Sequence, residues 1–385
     1  MSIYTMFVLS AAAALAGTWP MHIIDQSSKG ADGVRLADIN RDGLPDIVTG
    51  WEEGGAIRIC THPGVGAVRE PWPSTLVGKV PTPEDAVMVD LDGDGALDVV
   101  SCTEGEDRSV YVHWNPAAAD KEWRAEPVPA LRKISSWMFC APLPNAKGEV
   151  ESLVIGSKNE NGQIGLLDIS SPSVANWTWR TLRKAGWIMS LVPEDMDGDG
   201  DIDVLFSDRR GETSGVSWLE NPGDKGEWSE HTVGAKGREV MFLSSGDVDG
   251  DGDRDVVAAV KPRDIMIFHR DDSTGETWRE ETVTFSNAHG TAKAVRSADV
   301  DGDGKAELVA TCENAEAKSG VFTLKRNIEG RWDSHDISGD LGIKYDLVEL
   351  LDLDGDGDLD ILTCEEREIN AVIWYENTGS QNKTP

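Results

Sequence analysis

The sequence predicts an all-β fold: a seven-bladed β-propeller, four strands per blade, with the N-terminal strand completing the last blade. Three observations carry this. An acidic phrase recurs at a period of about 52 residues, a Trp-led strand recurs seven times, and the phase between the two shows how the ring closes. Composition agrees. Glycine, at 40 of 385 residues, suits many tight turns better than long helices. A hydrophobic content of 39% with 14 Trp supplies a packed core and argues against disorder, despite a net charge of −33.

The acidic phrase reads DINRDGLPD (38–46), DLDGDGALD (90–98), DMDGDGDID (195–203), DVDGDGDRD (247–255), DVDGDGKAE (299–307) and DLDGDGDLD (352–360). The one double-length gap is filled by a degenerate copy at 140–158, where Ser152-Leu153-Val154-Ile155 aligns with the Asp-apolar ending of the others. The second marker falls at Trp19, Trp72, Trp123, Trp177, Trp228, Trp278 and Trp332, spaced 50 to 54 residues apart. Each unit therefore holds an apolar strand, the loop, a strand such as DVVSCTE, a third such as VYVHW, and the Trp strand. Val, Ile, Trp and Gly at these positions disfavour helical repeats. The first Trp strand precedes any acidic loop, and the last unit ends at Ile373-Trp374-Tyr375 without one. Joining the two chain ends in one blade removes the exposed edges.

With 69 acidic residues against 36 basic ones, the surface repels phosphate backbones and excludes nucleic acid as a partner class. The apolar run Met6–Ala16 ends in Ala14-Leu15-Ala16, a small-x-small signal, so residues 1–16 read as a secretory signal peptide, although no Lys or Arg precedes the run. At about 11 residues it falls short of the ~20 that span a bilayer, so no membrane insertion is expected. The expectation is a secreted or periplasmic protein with its propeller over 17–377 and a disordered tail over 378–385. Cys60, Cys102, Cys140, Cys312 and Cys364 are odd in number and lack CxxC spacing, which points to buried free thiols rather than a disulfide framework.

The phrase D-x-D-G-D-G-x-x-D followed by apolar residues resembles the FG-GAP/VCBS repeat of integrin-type and many bacterial propellers. That resemblance implies structural Ca²⁺, at up to six sites, in the loop between the first two strands of a blade. The donor chemistry points the same way. Calcium takes six to eight oxygens, and positions 1, 3, 5 and 9 offer side-chain oxygens. These are Asp38, Asn40, Asp42 and Asp46; Asp90, Asp92, Asp94 and Asp98; Asp195, Asp197, Asp199 and Asp203; Asp247, Asp249, Asp251 and Asp255; Asp299, Asp301, Asp303 and Glu307; and Asp352, Asp354, Asp356 and Asp360. Glycine at position 6 permits the sharp turn. An EF-hand is excluded, because position 12 is Ser101, Phe206 or Thr363 rather than Glu.

Positions that repeat serve the fold, and positions that differ between blades are free for function. Six residues beyond each loop's closing position stand Glu52, Glu104, Lys158, Arg209, Lys261, Glu313 and Glu366. The loops leading into the first strands carry Asp32, Glu84, Asp85, Trp137, Trp187, Arg238, Glu239, His289, Lys344, Tyr345 and Asp346. Acids and bases beside Trp51, Trp137 and Trp187 suggest sugar stacking and hydroxyl contacts, hence a carbohydrate ligand or substrate bound by Trp51, Glu52, Asp85, Glu104, Trp137, Trp187, Glu239 and Glu313. For catalysis, His289 and Tyr345 are the proton-transfer candidates, with Arg209, Arg238, Lys158 and Lys261 stabilising an enolate or carboxylate. A looser resemblance, to the propeller part of aldos-2-ulose (anhydrofructose) dehydratase and to propeller polysaccharide lyases, implies elimination chemistry on a sugar. The alternative is a non-catalytic lectin or a propeller that binds a protein partner.

Overall fold

The structure is a computed structural model. It describes residues 17–379 except 119–120, 146, 172 and 224–225, so the signal peptide expected at 1–16 and residues 380–385 of the expected tail lie outside the described residues. Among the described residues the strands form seven four-stranded antiparallel sheets. Blade 4 shows the pattern: Ile188–Glu194 innermost, then Asp203–Asp208, Gly215–Glu220 and Ser229–Gly234 outermost. Blades 1, 2, 3, 5, 6 and 7 begin at Ala31, Pro83, Ser136, Val240, Thr291 and Tyr345. First strands of neighbouring blades touch all round the ring, the last returning to the first.

Burial explains the composition of each strand. Second strands such as Asp98–Thr103 and Asp255–Val260 are buried at every residue, because neighbouring blades cover both faces, and they read as continuous apolar runs. Outermost strands such as Ser229–Gly234 and Trp278–Thr284 are mostly exposed and polar. All five cysteines are buried and free, as expected.

The acidic loop is also a folding device. Its ninth residue is buried in all six copies. Asp203 accepts the backbone N–H groups of Met196 and of Asn221, both at 2.7 Å, which fastens the loop to the end of the third strand. Asp46, Asp98, Asp255 and Asp360 make the same pair of bonds in their own blades. The glycine at position 6 has φ between +84° and +95°, a region that L side chains adopt only under strain. In blade 3 the turn is built on Asn145 instead, whose backbone N–H donates to the Glu149 carbonyl.

Met21–Asp25 pairs antiparallel with Ala371–Tyr375 and becomes the outer strand of blade 7, so the expected closure holds. His22 stacks on Trp374 with ring centroids 4.6 Å apart, and its Nε2 lies 2.8 Å from Glu376. His231 repeats the arrangement on Trp218 and Glu220 in blade 4, which makes these histidines structural. Deleting residues 1–26 should therefore open the ring. The expected result is a thermal midpoint lower by roughly 10 °C or more, or an aggregated product by size-exclusion chromatography. An unchanged midpoint would show that the closure is dispensable.

Candidate functional site

The strand ends on the face opposite the acidic loops carry the charges picked out by blade-to-blade variation. The structure joins most of them in one arc. Glu52, Glu84 and Glu104 each place a carboxylate oxygen within 4.8 Å of the others. Lys158 lies 3.5 Å from Glu84 and also contacts Glu104. Its ammonium sits 4.5 Å from the centre of the Trp187 ring, which Arg209 and Arg210 also cover, at 4.4 and 4.8 Å. Arg209 pairs with Glu239 at 2.7 Å, and Lys261 lies between Glu239 and Glu313. Lys293 then bridges Glu313, at 3.9 Å, and Asp346, at 2.7 Å. Asp346 shares a second carboxylate triad with Asp32 and Glu366, and Lys344 contacts Glu366. The charges thus pair between neighbouring blades around the channel mouth.

Several expected site residues lie elsewhere. Trp51 and Trp137 are fully buried, and the Trp137 indole N–H donates to the Leu131 carbonyl at 2.8 Å, so neither can stack on a ligand. Trp187 is half-buried, with its ring faces taken by Lys158 and the two arginines. Tyr345 has no exposed surface. Its hydroxyl donates to the Leu341 carbonyl at 2.7 Å and lies 2.9 Å from that of Tyr375, and burial pushes its pKa up to about 12. His289 is only 3% exposed, stacked 3.9 Å from Phe322, and burial lowers its pKa. Arg238 pairs with Asp264 of its own blade at 2.6 Å rather than with the arc. Asp85 is buried, bound to Arg35 at 2.9 Å, and accepts the Cys140 N–H.

Two residues that sequence reasoning missed stand on the innermost strands. Lys293 joins the two ends of the arc, and Arg35 lies 5.9 Å over Phe139, which meets Phe242 edge-on at 5.3 Å. This packing leaves a void of about 30 Å³ between the first strands. The sequence signal was present, since a Lys and an Arg interrupt the runs TAKAV and GVRLA.

Acids outnumber bases where the arc crosses blades 7, 1 and 2. Burial raises Glu84 to about 8, with Lys158 opposing and Glu104 and Glu52 adding to the rise. Burial also raises Glu366 to about 7 and lifts Asp32 well above the ordinary range, helped by Asp346 and Glu366. Burial works the same way on Asp346, but Lys293 and Lys344 outweigh it and hold that carboxyl low. Between the unfolded value near 4.5 and the folded value near 8, Glu84 is protonated in the fold and ionised in the unfolded chain. Each step up in pH across that window therefore removes stability. A falling thermal midpoint is expected as pH rises from about 5 to 8, with Glu84→Gln flattening the slope. An unchanged slope in that variant would remove Glu84 from the account. Lys293→Met, which takes away the ammonium paired with Asp346, should cost about 3–5 kcal/mol in chemical denaturation.

On the opposite face the acidic loops lie side by side, and Arg41 of one donates to the Gly95 carbonyl of the next. Loop carboxylates crowd one another: Asp90, Asp92 and Asp98 have oxygens within 4.8 Å, as do Asp195, Asp197 and Asp199.

A family model described as an FG-GAP-like repeat matches residues 38–101, 195–258 and 247–310. No curated protein sequence matches the chain. Among solved structures, BBS1N in complex with ARL6DN is 13% identical, with a TM-score of 0.55 over 93% of this chain and 96% of that one. The Cps50 (Swd1) β-propeller domain of Myceliophteria thermophila is 12% identical, with a TM-score of 0.56 over 93% and 100%. YCF48 from Cyanidioschyzon merolae is 10% identical, with a TM-score of 0.55 over 94% and 99%. At such identities the likeness concerns the fold alone. Six acidic loops, seven closed blades and three matched segments make this chain a seven-bladed β-propeller built on FG-GAP-like repeats.

Proposed function

We propose that the chain is a calcium-stabilised propeller that works by binding and performs no elimination chemistry. The observation that carries this is the sealing of the two proton-transfer candidates. Tyr345 is buried against Tyr375 and His289 against Phe322, with no hydrogen bond between them and none to the arc. The cations expected to stabilise an enolate are already paired with Glu104, Glu239, Glu313 and Asp264. A substrate would have to break those pairs before any base could act. A rigid, mutually paired face suits recognition better, and in BBS1N in complex with ARL6DN a similar fold has a bound partner.

The loop donors fit a hard cation. Burial and like-charged neighbours push Asp98 up to about 6 and Asp203 and Asp360 up to about 7, and a bound divalent ion would relieve that repulsion. Bound there, calcium would neutralise the carboxylates and stiffen the hairpin. The fit differs between loops. In 299–307 the Lys325 ammonium already contacts Asp301 and lies 2.8 Å from Asp303 and 3.4 Å from Glu307. In 247–255, His269 lies 3.2 Å from Asp249. The loops at 90–98 and 195–203 carry no such internal cation among the described residues and are assigned the tightest sites.

Two measurements test the proposal. Calcium added to chelator-treated protein should raise the thermal midpoint by roughly 5–15 °C, and Asp92→Asn with Asp197→Asn should remove most of that rise. Absence of any shift would sink the calcium assignment. Ultraviolet absorbance, followed with calcium on uronic-acid glycans and keto-sugars, should stay flat. A protein-dependent rise would establish a conjugated product and overturn the binding reading.

A further inference from the structure

A further cleft lies apart from the charged arc and is bordered by the acidic loops at 38–46 and 90–98, including the donors Asn40 and Asp94. It encloses about 890 Å³ on the acidic-loop face, where blades 1 and 2 meet. Trp123, Leu76 and Ile39 supply apolar wall, and Thr61, Thr75 and Arg41 supply hydrogen-bonding groups. Leu76 is 43% exposed, one of few large apolar side chains so open to solvent.

Comparison with the matching junction between blades 5 and 6 shows why the cleft is open. Ile47 pairs with Cys60 and Ile59 with Thr75, just as Val256 pairs with Phe268 and Ile267 with Glu281. Thr75 therefore occupies the place of Glu281, Thr61 that of His269, and Trp123 that of Trp332. At the blade 5–6 junction Glu281 accepts the Trp332 indole N–H at 2.9 Å, pairs with Arg326 and lies 3.2 Å from His269. Arg326 covers the Trp332 ring at 4.8 Å, and the remaining space is about 560 Å³. With threonines in place of that Glu and His, nothing reaches across to Trp123, whose indole makes no hydrogen bond or ring contact to a described residue. The same backbone holds a junction bridged by ion pairs in one place and an unbridged one in the other.

We infer that the cleft between blades 1 and 2 binds a neutral carbohydrate, with a sugar ring against Trp123 and its hydroxyls on the threonines and Arg41. The volume lies within the ~300–1,000 Å³ usual for small-ligand sites. An indole beside an aliphatic wall offers a flat apolar platform, and alcohols with a guanidinium answer hydroxyl groups. Charge selects the class. Among the described residues that line the cleft, Arg41 and Lys121 offset Asp94 and Glu122, in a chain of −33. A cationic ligand would find better sites at the acidic arc, and an anionic one would be repelled by the whole molecule.

The inference rests on the binding reading above but uses a different part of the molecule. The test is calorimetric titration of the calcium-loaded protein with cellotetraose, maltotetraose, mannotetraose and chitotetraose. At least one should bind, with affinity roughly tenfold weaker or worse in Trp123→Ala. Thr75→Glu, which restores the side chain that closes the blade 5–6 junction, should abolish binding while leaving the thermal midpoint unchanged, because Thr75 is exposed. Ile328→Ala, at an exposed position away from the cleft and the arc, should bind as the native chain does. Four flat titrations, or binding that survives both Trp123→Ala and Thr75→Glu, would overturn the inference. Binding lost equally in Ile328→Ala would show that the losses are not specific to the cleft and overturn it too. Each of these outcomes leaves the ultraviolet test of the binding reading to stand or fall separately.

Discussion

The fold depends on a buried carboxylate at the end of each acidic loop. Asp203 and its four aspartate counterparts take one backbone N–H from their own loop and one from the chain leaving the third strand. A propeller blade is only four short strands and cannot bury its apolar faces without its neighbours. A charge-assisted bond at each oxygen fixes the hairpin and the third strand as one unit. The cost is a group of acids held close together at the loop, which explains why the phrase repeats so closely and why cations gather there. In the 299–307 loop the chain supplies its own, Lys325. The same need for neutralisation is thus met by a side chain in one blade and is open to a metal in others.

The opposite face solves a different problem. First strands converge on the axis, so any charge near the mouth is buried among other charges. The arc runs from Glu104 and Lys158 across the Trp187 ring to Arg209 and Glu239, and on through Lys261, Glu313 and Lys293 to Asp346, with ion pairs between neighbouring blades. Buried pairs of this kind add little net stability, but removing one partner is expensive. The arc therefore acts on register: a blade rotated or lost would bring like charges together. Where acids outnumber bases, at blades 7, 1 and 2, protons complete the balance.

Most of the fold was legible in the sequence because a propeller writes its period directly into turn residues. The count of seven, the blade without an acidic loop and the shared last blade all follow from two markers and their phase. The site was less legible, for a reason visible in the sheets. Every first strand carries a bulge near its start, as between Trp137 and Phe139 or between Tyr345 and Val348. A one-residue slip turns the side chain to the other face, so an offset counted from the loop cannot say whether Trp137 or Tyr345 meets solvent. Both turned inward. Charged residues at the second-strand ends are less ambiguous, because burial without a partner is forbidden to them, whereas an aromatic residue is content on either side.

Variation between blades remains informative once this correction is made, provided that equivalent positions are aligned by strand pairing rather than by count. Aligned that way, the seven blade junctions are not alike. Glu281, Arg326 and His269 fill one with salt bridges, and the replacement of Glu281 and His269 by Thr75 and Thr61 leaves another open. Losing those ion pairs forfeits little stability at a solvent-facing junction, so drift could produce such a cleft. Trp123 packs in part on the core beneath it, as its repeated position requires, and turns the rest of its indole to the cleft beside the exposed Leu76. An apolar wall beside hydrogen-bonding groups, with its described charges in balance, is the arrangement that a neutral polyhydroxylated ligand would use.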